Sequence, residues 1–229
     1  MRTIQEHICI SVVIPVLDAA NELRRTLAAL AGSPLIGEIV VVNGASRDDS
    51  AAVARESGAR VVDMPRGRGT QLAAGATAAE HDWLLFLHAD CRPLPGWEDA
   101  VREFIAAPKD KAGYFALALD DAAPAARRLE RIVAWRCRVL ALPYGDQGLL
   151  IHRLLYDAVG GYAAMPLMED VDIARRLGRA RLRPIGATLL ASARRYRTGG
   201  YIGRPLRNLV CLLLYFLGVA PRRIAKLYE

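Results

Sequence analysis

Short apolar runs rich in β-branched residues alternate with stretches of helical periodicity along the N-terminal part of the chain. The apolar runs cover residues 10–14, 39–42, 61–62 and 83–87. Between them, Leu23, Leu27 and Leu30 recur at helical spacing before Gly32, and residues 50–57 and 70–79 have helix-forming composition. Strands that alternate with helices predict βαβ units, and therefore an α/β fold whose mostly parallel sheet is covered by helices on both faces.

The segments that follow these strands are predicted to meet at one edge of the sheet. They are residues 15–18, 43–46, 66–69 and 88–90. In open α/β sheets, ligands bind outside the carboxyl ends of the strands. We therefore expect a binding site built from these four segments.

The second half of the chain has weaker periodicity. Residues 114–119 and 147–152 are predicted strands, and residues 170–179 a predicted helix. A long helix over Pro124–Leu140 is predicted to turn Leu129, Ile132, Val133 and Leu140 inward. Neither a linker nor an internal repeat divides the sequence, so residues 1–229 are predicted to form a single domain.

Composition narrows the function classes. A hydrophobic fraction of 53% over 229 residues is typical of a packed domain that needs no disulfides. The net charge of +7 favours anionic partners such as diphosphates, nucleic acid or acidic lipid. Nucleic-acid binding is not expected, because it requires aromatic side chains among the basic clusters and only 7% of the residues are aromatic.

Cysteine spacing and the N-terminal sequence favour a cytoplasmic location. Cys9, Cys91, Cys137 and Cys211 are scattered, which predicts reduced core thiols rather than a zinc or redox motif. Glu6 and His7 interrupt any apolar run at the N-terminus, so no secretory signal is expected.

The C-terminal tail, about residues 201–229, combines apolar and basic residues. Residues 209–220 are almost wholly apolar; Arg204 and Arg207 precede them, and Arg222, Arg223 and Lys226 follow. The run is shorter than the roughly 20 residues of a spanning helix, which favours a buried core helix or a homodimer contact. The alternative is an interfacial helix that holds the protein at the inner face of the membrane, close to a lipid-linked substrate.

Two acidic segments are candidates for chemistry. Asp90 follows the buried strand 83–87, where a carboxylate could hold Mg²⁺ or Mn²⁺, although an aspartate there could equally cap a turn. Glu169 and Asp170 precede a predicted helix, where acids could either stabilise the helix start or supply a general base.

Two glycine-containing loops are further candidates. Residues 143–148 place Asp146 and Gln147 between glycines, in a loop that could approach a ligand or simply enter the next strand. Arg68, between two glycines at a predicted helix start, could meet a phosphate. The dinucleotide fingerprint and the phosphate-binding loop of nucleotide hydrolases are both missing from the sequence, which argues against those two classes.

Taken in chain order, these segments resemble family 2 glycosyltransferases with the GT-A fold, over about residues 8–200. The resemblance is carried by residues 11–15, 41–48, the His88-Ala89-Asp90 turn and Glu169-Asp170. Residues 67–71, 143–148 and 192–195 are similar to a small bacterial branch associated with radical-SAM genes and arsenosugar biosynthesis.

The resemblance implies roles for individual residues. A nucleotide-sugar donor would be bound by Pro15, Val16, Leu17, Asp18, Asn43, Gly44, Arg68, Gln71, His88, Asp146, Gln147, Arg194 and Arg195. Asp90 would hold Mn²⁺ or Mg²⁺ on the donor diphosphate, and Asp170 would be the base, with Glu169 orienting the acceptor. The implied reaction is an inverting transfer of one sugar to a hydroxyl of a small or lipid-linked acceptor.

Three departures from the family pattern leave other hypotheses open. Asn43 stands where an aspartate is usual, Ala19 where an acid is common, and Ala73 where an asparagine is frequent. They motivate a catalytically degenerate protein that binds a nucleotide or a membrane. A sugar-1-phosphate nucleotidyltransferase is a further alternative, but no glycine-rich loop follows the first strand.

Overall fold

A computed structural model describes residues 9–106 and 108–228, so Glu6 and His7 lie outside the described residues. The predicted alternation in the N-terminal part is confirmed. The elements are β1 Ile10–Val16, α1 Ala20–Leu30, β2 Ile36–Asn43, α2 Ser50–Glu56, β3 Arg60–Asp63, α3 Arg68–Ala78 and β4 Trp83–Phe86.

The remaining elements include five that the sequence pattern did not predict, namely β5, α4, α6, β8 and α8. In order they are β5 Cys91–Pro93, α4 Trp97–Ile105, β6 Ala112–Leu119, α5 Pro124–Leu140, β7 Leu149–His152, α6 Arg153–Ala158, α7 Glu169–Leu177, β8 Leu182–Ala191, α8 Arg194–Gly199, α9 Gly203–Phe216 and α10 Pro221–Tyr228.

The eight strands of the described residues belong to one sheet, in the order β3-β2-β1-β4-β7-β6-β8-β5. β1 pairs in parallel with β2 and β4, and β2 with β3, so their carboxyl ends share one edge. β6 and β8 are also parallel, whereas β7 is antiparallel to β4 and β6, and β5 to β8. The α/β fold with a mostly parallel sheet is therefore confirmed.

Packing on both faces of the sheet accounts for the continuous apolar runs. Alternate residues of β1 enter two different cores: Ile14 packs with Leu27 of α1, whereas Val13 packs with Leu72 of α3. All four side chains are buried. A strand buried on both faces is apolar at nearly every position, which explains why β1 and β4 lack a polar alternation. The exception is Ser11 of β1, whose buried hydroxyl donates to Glu38.

Helix α5 corrects the prediction about its inward face. Leu129 and Val133 are buried as predicted, but Ile132 is 60% exposed and Leu140 is 49% exposed. The buried positions include Leu129, Val133 and Cys137, which are four residues apart and form a narrow stripe on the helix. Ile132 and Leu140 lie off this stripe.

The C-terminal tail corrects a second expectation. Residues 209–220 do not form a buried core helix, because Leu209 and Leu213 of α9 are about half exposed and Leu217 is 80% exposed. Cys211 and Leu212 make the inward contact of this helix. Among the described residues, no helix combines the length and apolar character that crossing a membrane requires.

Candidate functional site

A cavity of about 570 Å³ lies outside the carboxyl ends of the central strands, and we call it the large cavity. It brings together predicted site residues from four separate segments of the chain. They are Pro15, Val16, Leu17, Asp18, Arg68, Gln71, His88, Asp90, Arg194 and Arg195. Parallel strands place these segments together because each strand ends at the same edge of the sheet.

Gln71 lines the large cavity and is fixed there by two hydrogen bonds. Its side-chain amide donates to the carbonyl oxygens of Val16, at 3.0 Å, and Val42, at 2.8 Å. It thereby joins the ends of β1 and β2, where the ladder of backbone hydrogen bonds stops. A Cβ on Gly44 would lie 2.8 Å from the Gln71 amide nitrogen, so glycine at this position lets the glutamine reach both carbonyls.

Asn43 has a structural contact that the sequence did not reveal. Its amide nitrogen donates to Asp63 Oδ1 at 2.8 Å, and its amide oxygen accepts a hydrogen bond from the Ser46 backbone at 3.1 Å. Asn43 is 7% exposed, and neither it nor Gly44 is among the residues that line the large cavity. The amide fits because Asp63 requires a donor, which a carboxylate at position 43 would not supply.

The His88-Ala89-Asp90 turn supplies the candidate metal ligands. Ligand atoms of His88, Asp90 and Cys91 lie within 4.8 Å of one another. Burial lowers the pKa of His88 well below its ordinary value, and the charges of Arg68 and Arg195 act in the same direction. The imidazole is therefore neutral and keeps a lone pair for a cation.

Gly145 holds the imidazole in this turn. A Cβ on Gly145 would lie 2.2 Å from His88 Nε2, so the loop at residues 145–147 can pack on the ring only with glycine there. Burial raises the pKa of the Cys91 thiol well above its ordinary value, and the carboxylates of Asp90 and Asp146 add to this effect. The thiol thus stays protonated, which leaves His88 and Asp90 as the better ligands of the three.

Asp146 faces the same turn. Its Oδ1 is buried and has no hydrogen-bond partner among the described residues. Burial raises its pKa to about 6, opposed by Arg136 and reinforced by Asp170 and Asp90. A buried carboxylate oxygen without a partner is costly unless a cation or a proton compensates it. Asp146 does not belong to the group formed by His88, Asp90 and Cys91, so these three residues supply the donor set that fits a metal, and Asp146 adds negative charge nearby.

A smaller cavity of about 110 Å³ adjoins the large cavity and shares Arg68, His88 and Leu167 with it. Asp170 lines this small cavity. Asp170 Oδ2 accepts a hydrogen bond from the Gly145 backbone at 2.9 Å, and Oδ1 accepts one from Val171 at 2.8 Å. These bonds fix the direction of the carboxylate at the start of α7.

Glu169 points away from solvent and pairs with Arg68. The guanidinium donates from Nε to Glu169 Oε1; the glutamate side chain is 0% exposed and that of Arg68 is 30% exposed. Burial raises the pKa of Glu169, although Arg68 opposes this shift. The pair joins the first residue of α3 to the first residue of α7, and so connects the two cavities.

Two predicted residues have contacts that reduce their access to a ligand. Arg194 pairs with Glu22 at 2.8 Å on the wall of the large cavity. Gln147 is 1% exposed and lines neither of the two cavities. Its amide oxygen accepts from Arg136 and Tyr144, and its nitrogen donates to the Phe115 carbonyl. Gln147 therefore supports the loop rather than facing the large cavity.

Helix α9 contributes residues that the sequence pattern did not indicate. Arg204 and Asn208, four positions apart on one face of the helix, line the small cavity beside Asp170. Asn208 Oδ1 is buried without a hydrogen-bond partner among the described residues. A polar pair at helical spacing just before the apolar run 209–220 was the available signal for this wall.

A family model described as "Glycosyl transferase family 2" matches residues 11–166, which is more than half of the chain. The chain belongs to glycosyl transferase family 2. The match covers the strand ends that form the large cavity, and it ends before Glu169 and Asp170. This glycosyltransferase therefore carries its candidate base beyond the matched segment.

Solved structures show the same GT-A fold. Glucosyl-3-phosphoglycerate synthase from Mycobacterium tuberculosis, in complex with Mn²⁺, UDP and glucosyl-3-phosphoglycerate, is similar with a TM-score of 0.60 and 22% identity, over 92% of this chain and 80% of that one. GalNAc-T7 with UDP, GalNAc and Mn²⁺ is similar with a TM-score of 0.63 and 14% identity, over 82% of this chain and 44% of that one. A mycobacterial protein is similar with a TM-score of 0.57 and 21% identity over 80% of this chain. The chain spans 65% of the length of that protein.

Proposed function

We propose that this family 2 glycosyltransferase transfers a single sugar from a nucleotide-sugar donor to an acceptor hydroxyl, with inversion and with a divalent metal. The observation that carries the proposal is the pair of adjoining cavities, one lined by Asp90 and His88 and the other by Asp170. A donor in the large cavity would present its anomeric carbon towards Asp170. Similar folds have been crystallised with UDP and Mn²⁺, which supports this choice of donor and metal.

The residues divide the chemistry between them. Asp170 removes the proton of the acceptor hydroxyl, the oxygen attacks the anomeric carbon, and the bond to the nucleoside diphosphate breaks. Asp90 and His88 would hold the cation, with Asp146 beside them. Once bound, the cation neutralises charge that develops on the leaving diphosphate. Arg68 and Arg195 add positive charge on the same cavity wall.

Substitutions of Asp170 and Asp90 test these roles. We expect Asp170→Asn to reduce transfer by roughly 10²- to 10⁴-fold while donor binding is kept, because the amide cannot accept the proton. Asp90→Ala should remove the manganese-dependent part of the thermal stabilisation by a nucleoside diphosphate. Asp157→Asn, an exposed aspartate on α6, is the matched control.

The outcomes separate the competing functions. Full transfer by both site variants would refute the assigned roles, and retention of the anomeric configuration in the product would refute the single displacement. Nucleotide binding without turnover, over a broad donor and acceptor screen, would instead support a degenerate binding protein. Release of pyrophosphate from a nucleoside triphosphate would support a nucleotidyltransferase. Membership of the arsenosugar-associated branch stays a prediction that rests on the sequence motifs.

We further propose that α9 and α10 contact an anionic membrane surface and that the acceptor is presented there. Leu206, Leu209, Val210, Leu213 and Phe216 of α9 and Leu227 of α10 are each about half exposed or more. Arg222, Arg223 and Lys226 lie next to them in sequence. An apolar helix face flanked by basic residues binds anionic lipid through buried area and charge together. The same α9 lines the small cavity through Arg204 and Asn208, which favours a lipid-linked acceptor.

Co-sedimentation with anionic vesicles tests this contact. Wild-type protein should bind at low salt and be released at high salt, and L213E/F216E should bind at least tenfold more weakly. The control is Ile132→Glu on α5, which changes an equally exposed apolar residue outside the tail. Equal binding by wild type and L213E/F216E, or no binding at low salt, would refute the membrane contact.

A further inference from the structure

A third cavity, of about 510 Å³, lies between α5, β6 and β8, and we call it the arginine cavity. It forms where the register of β6 on β8 shifts. Tyr114 of β6 pairs with Pro184 of β8, and Ala116 pairs with Thr188. β8 therefore contains two more residues than β6 between these two pairs. Gly186, with φ +88°, lies in this segment, and a Cβ at this position would meet no atom within 4 Å. The cavity shares no lining residue with the large or the small cavity.

The cavity is strongly basic. Arg138, Arg179 and Arg183 line it. Arg179 donates to the carbonyl oxygens of Arg138 and Val139 at 2.7 Å each, and Arg183 donates to those of Arg179 and Leu182. No carboxylate of the described residues forms an ion pair with these three arginines. The hydrogen-bond partners of Arg179 and Arg183 are backbone carbonyl oxygens, so none of the three solvent-exposed positive charges is offset by an ion pair with a described carboxylate.

Polar groups deeper in the cavity complete its wall. Burial raises the pKa of the Tyr114 hydroxyl, and the nearby charges of Arg138 and Arg183 oppose this shift. Cys137 and Gln147 line the inner end. Clustered arginines recognise phosphate and carboxylate groups through charge-assisted hydrogen bonds.

We propose that the arginine cavity is a second ligand site, which binds a small ligand bearing phosphate or carboxylate groups and regulates the transfer site. Its volume is close to the 570 Å³ of the large cavity, so a phosphorylated molecule of nucleotide size fits it. The regulatory part rests on the proposed transfer function, whereas the binding part does not depend on it.

Gln147 provides the physical link between the two sites. Its amide oxygen accepts from Cys137 Sγ at 3.1 Å on the side of the arginine cavity and from the Tyr144 backbone at 3.3 Å. The residue after Tyr144, Gly145, donates to the candidate base Asp170 at 2.9 Å. A ligand that moves the Gln147 side chain would therefore change the support of Asp170.

The binding part is tested by thermal unfolding with inorganic phosphate in metal-free buffer containing a chelator. At ten times its dissociation constant, a ligand raises the ratio of folded to unfolded protein about 11-fold, and Tm by roughly 3–6 °C for a chain of this size. R138E/R183E should lose this shift. The matched control R128E removes an exposed arginine of the same helix and should keep it. R138A/R183A replaces the double variant if charge reversal prevents folding.

A donor-site variant identifies where the phosphate binds. Arg195→Ala changes the wall of the large cavity and should keep the shift. Loss of the shift in Arg195→Ala together with its retention in R138E/R183E would overturn the proposal, because the phosphate would then occupy the large cavity. An equal shift in all variants would also overturn it, because phosphate salts stabilise proteins without a specific site.

Two further measurements address the source of the phosphate and the regulation. The first measurement uses L213E/F216E as the background and phosphatidic acid vesicles as the probe. If binding to these vesicles requires Arg138 and Arg183, the site is assigned to a lipid headgroup. If only free phosphate gives the Tm shift, the site is assigned to a soluble ligand. Saturating phosphate should change the transfer rate at least twofold in wild type and not in R138E/R183E. Binding without any such change would overturn the regulatory role and leave the transfer function intact.

Discussion

Removal of the Arg68 guanidinium should destabilise the protein through Glu169. In Arg68→Ala, the Glu169 carboxylate, which is 0% exposed, would lose its charged partner. Breaking a buried ion pair from one side costs about 3–5 kcal/mol, because the remaining charge stays desolvated. For a chain of this length we therefore expect Tm to fall by roughly 6–20 °C.

The pH dependence of this loss has a definite sign. Burial already raises the pKa of Glu169 above its ordinary value of 4.5, and Arg68 opposes that shift, so Arg68→Ala should raise the pKa further. A carboxyl group with a raised folded-state pKa contributes stability below its unfolded-state pKa and loses it as the pH rises through the folded-state pKa. Arg68→Ala should therefore be closest to wild type near pH 4.5 and most destabilised at pH 8.

Urea unfolding of four proteins at pH 5 and pH 8 measures the effect. They are wild type, Arg68→Ala, Glu169→Gln and the double variant, which form a double-mutant cycle. Glu169→Gln should restore most of the stability that Arg68→Ala loses at pH 8, with a coupling of about 2–3 kcal/mol. Two results would refute the reasoning that the buried pair keeps Glu169 charged. One is a loss of unfolding free energy in Arg68→Ala below about 1 kcal/mol at pH 8. The other is an equal loss in Arg68→Ala at pH 5 and pH 8.

Three other perturbations follow from contacts in the site. Gly145→Ala should weaken metal-dependent nucleotide binding at least tenfold, since its Cβ would lie 2.2 Å from His88 Nε2. Calorimetry with manganese measures the affinity, and an unchanged affinity would contradict the packing of Gly145 on the imidazole. Asp146, with a pKa of about 6 instead of 3.8, should make metal-free wild type lose stability as the pH rises from 4 to 6, whereas Asp146→Asn should lose less; parallel Tm curves would refute this. Asn43→Asp should cost about 1–3 kcal/mol because it faces the Asp63 carboxylate, and N43D/D63N should recover it in urea unfolding.

The sequence predicted the N-terminal part of the fold because β1 and β4 are buried on both faces. Strands in that position are almost continuously apolar, which produces a clear run with a sharp end. β5 has three residues, and β8 contains Pro184 and Gly186, so neither strand shows a period that could be recognised. Both strands form because they pair with strands that are distant in the sequence: β5 pairs with β8, and β8 also pairs with β6. A local sequence pattern does not show such pairing.

The candidate site was predictable to the extent that strand ends define it. Residues near positions 15–18, 68–71 and 88–90 converge because parallel strands share one edge. Local sequence could not show that Asn43 serves Asp63, or that Gln147 turns inward to Phe115 and Cys137. Those partners lie between 10 and 32 positions away, and the direction of a loop side chain depends on them.

The exposure of α9 differs from the buried core helix that an apolar run of this length favours. Its inner side lines the small cavity with Arg204 and Asn208, and its outer side presents leucines to the surroundings. If the tail contacts a membrane as proposed, one helix joins that contact to the cavity that contains the candidate base. A reaction organised in this way follows the surface density of the acceptor rather than its bulk concentration, so dilution of the acceptor within the vesicle should slow turnover even when its total amount is constant.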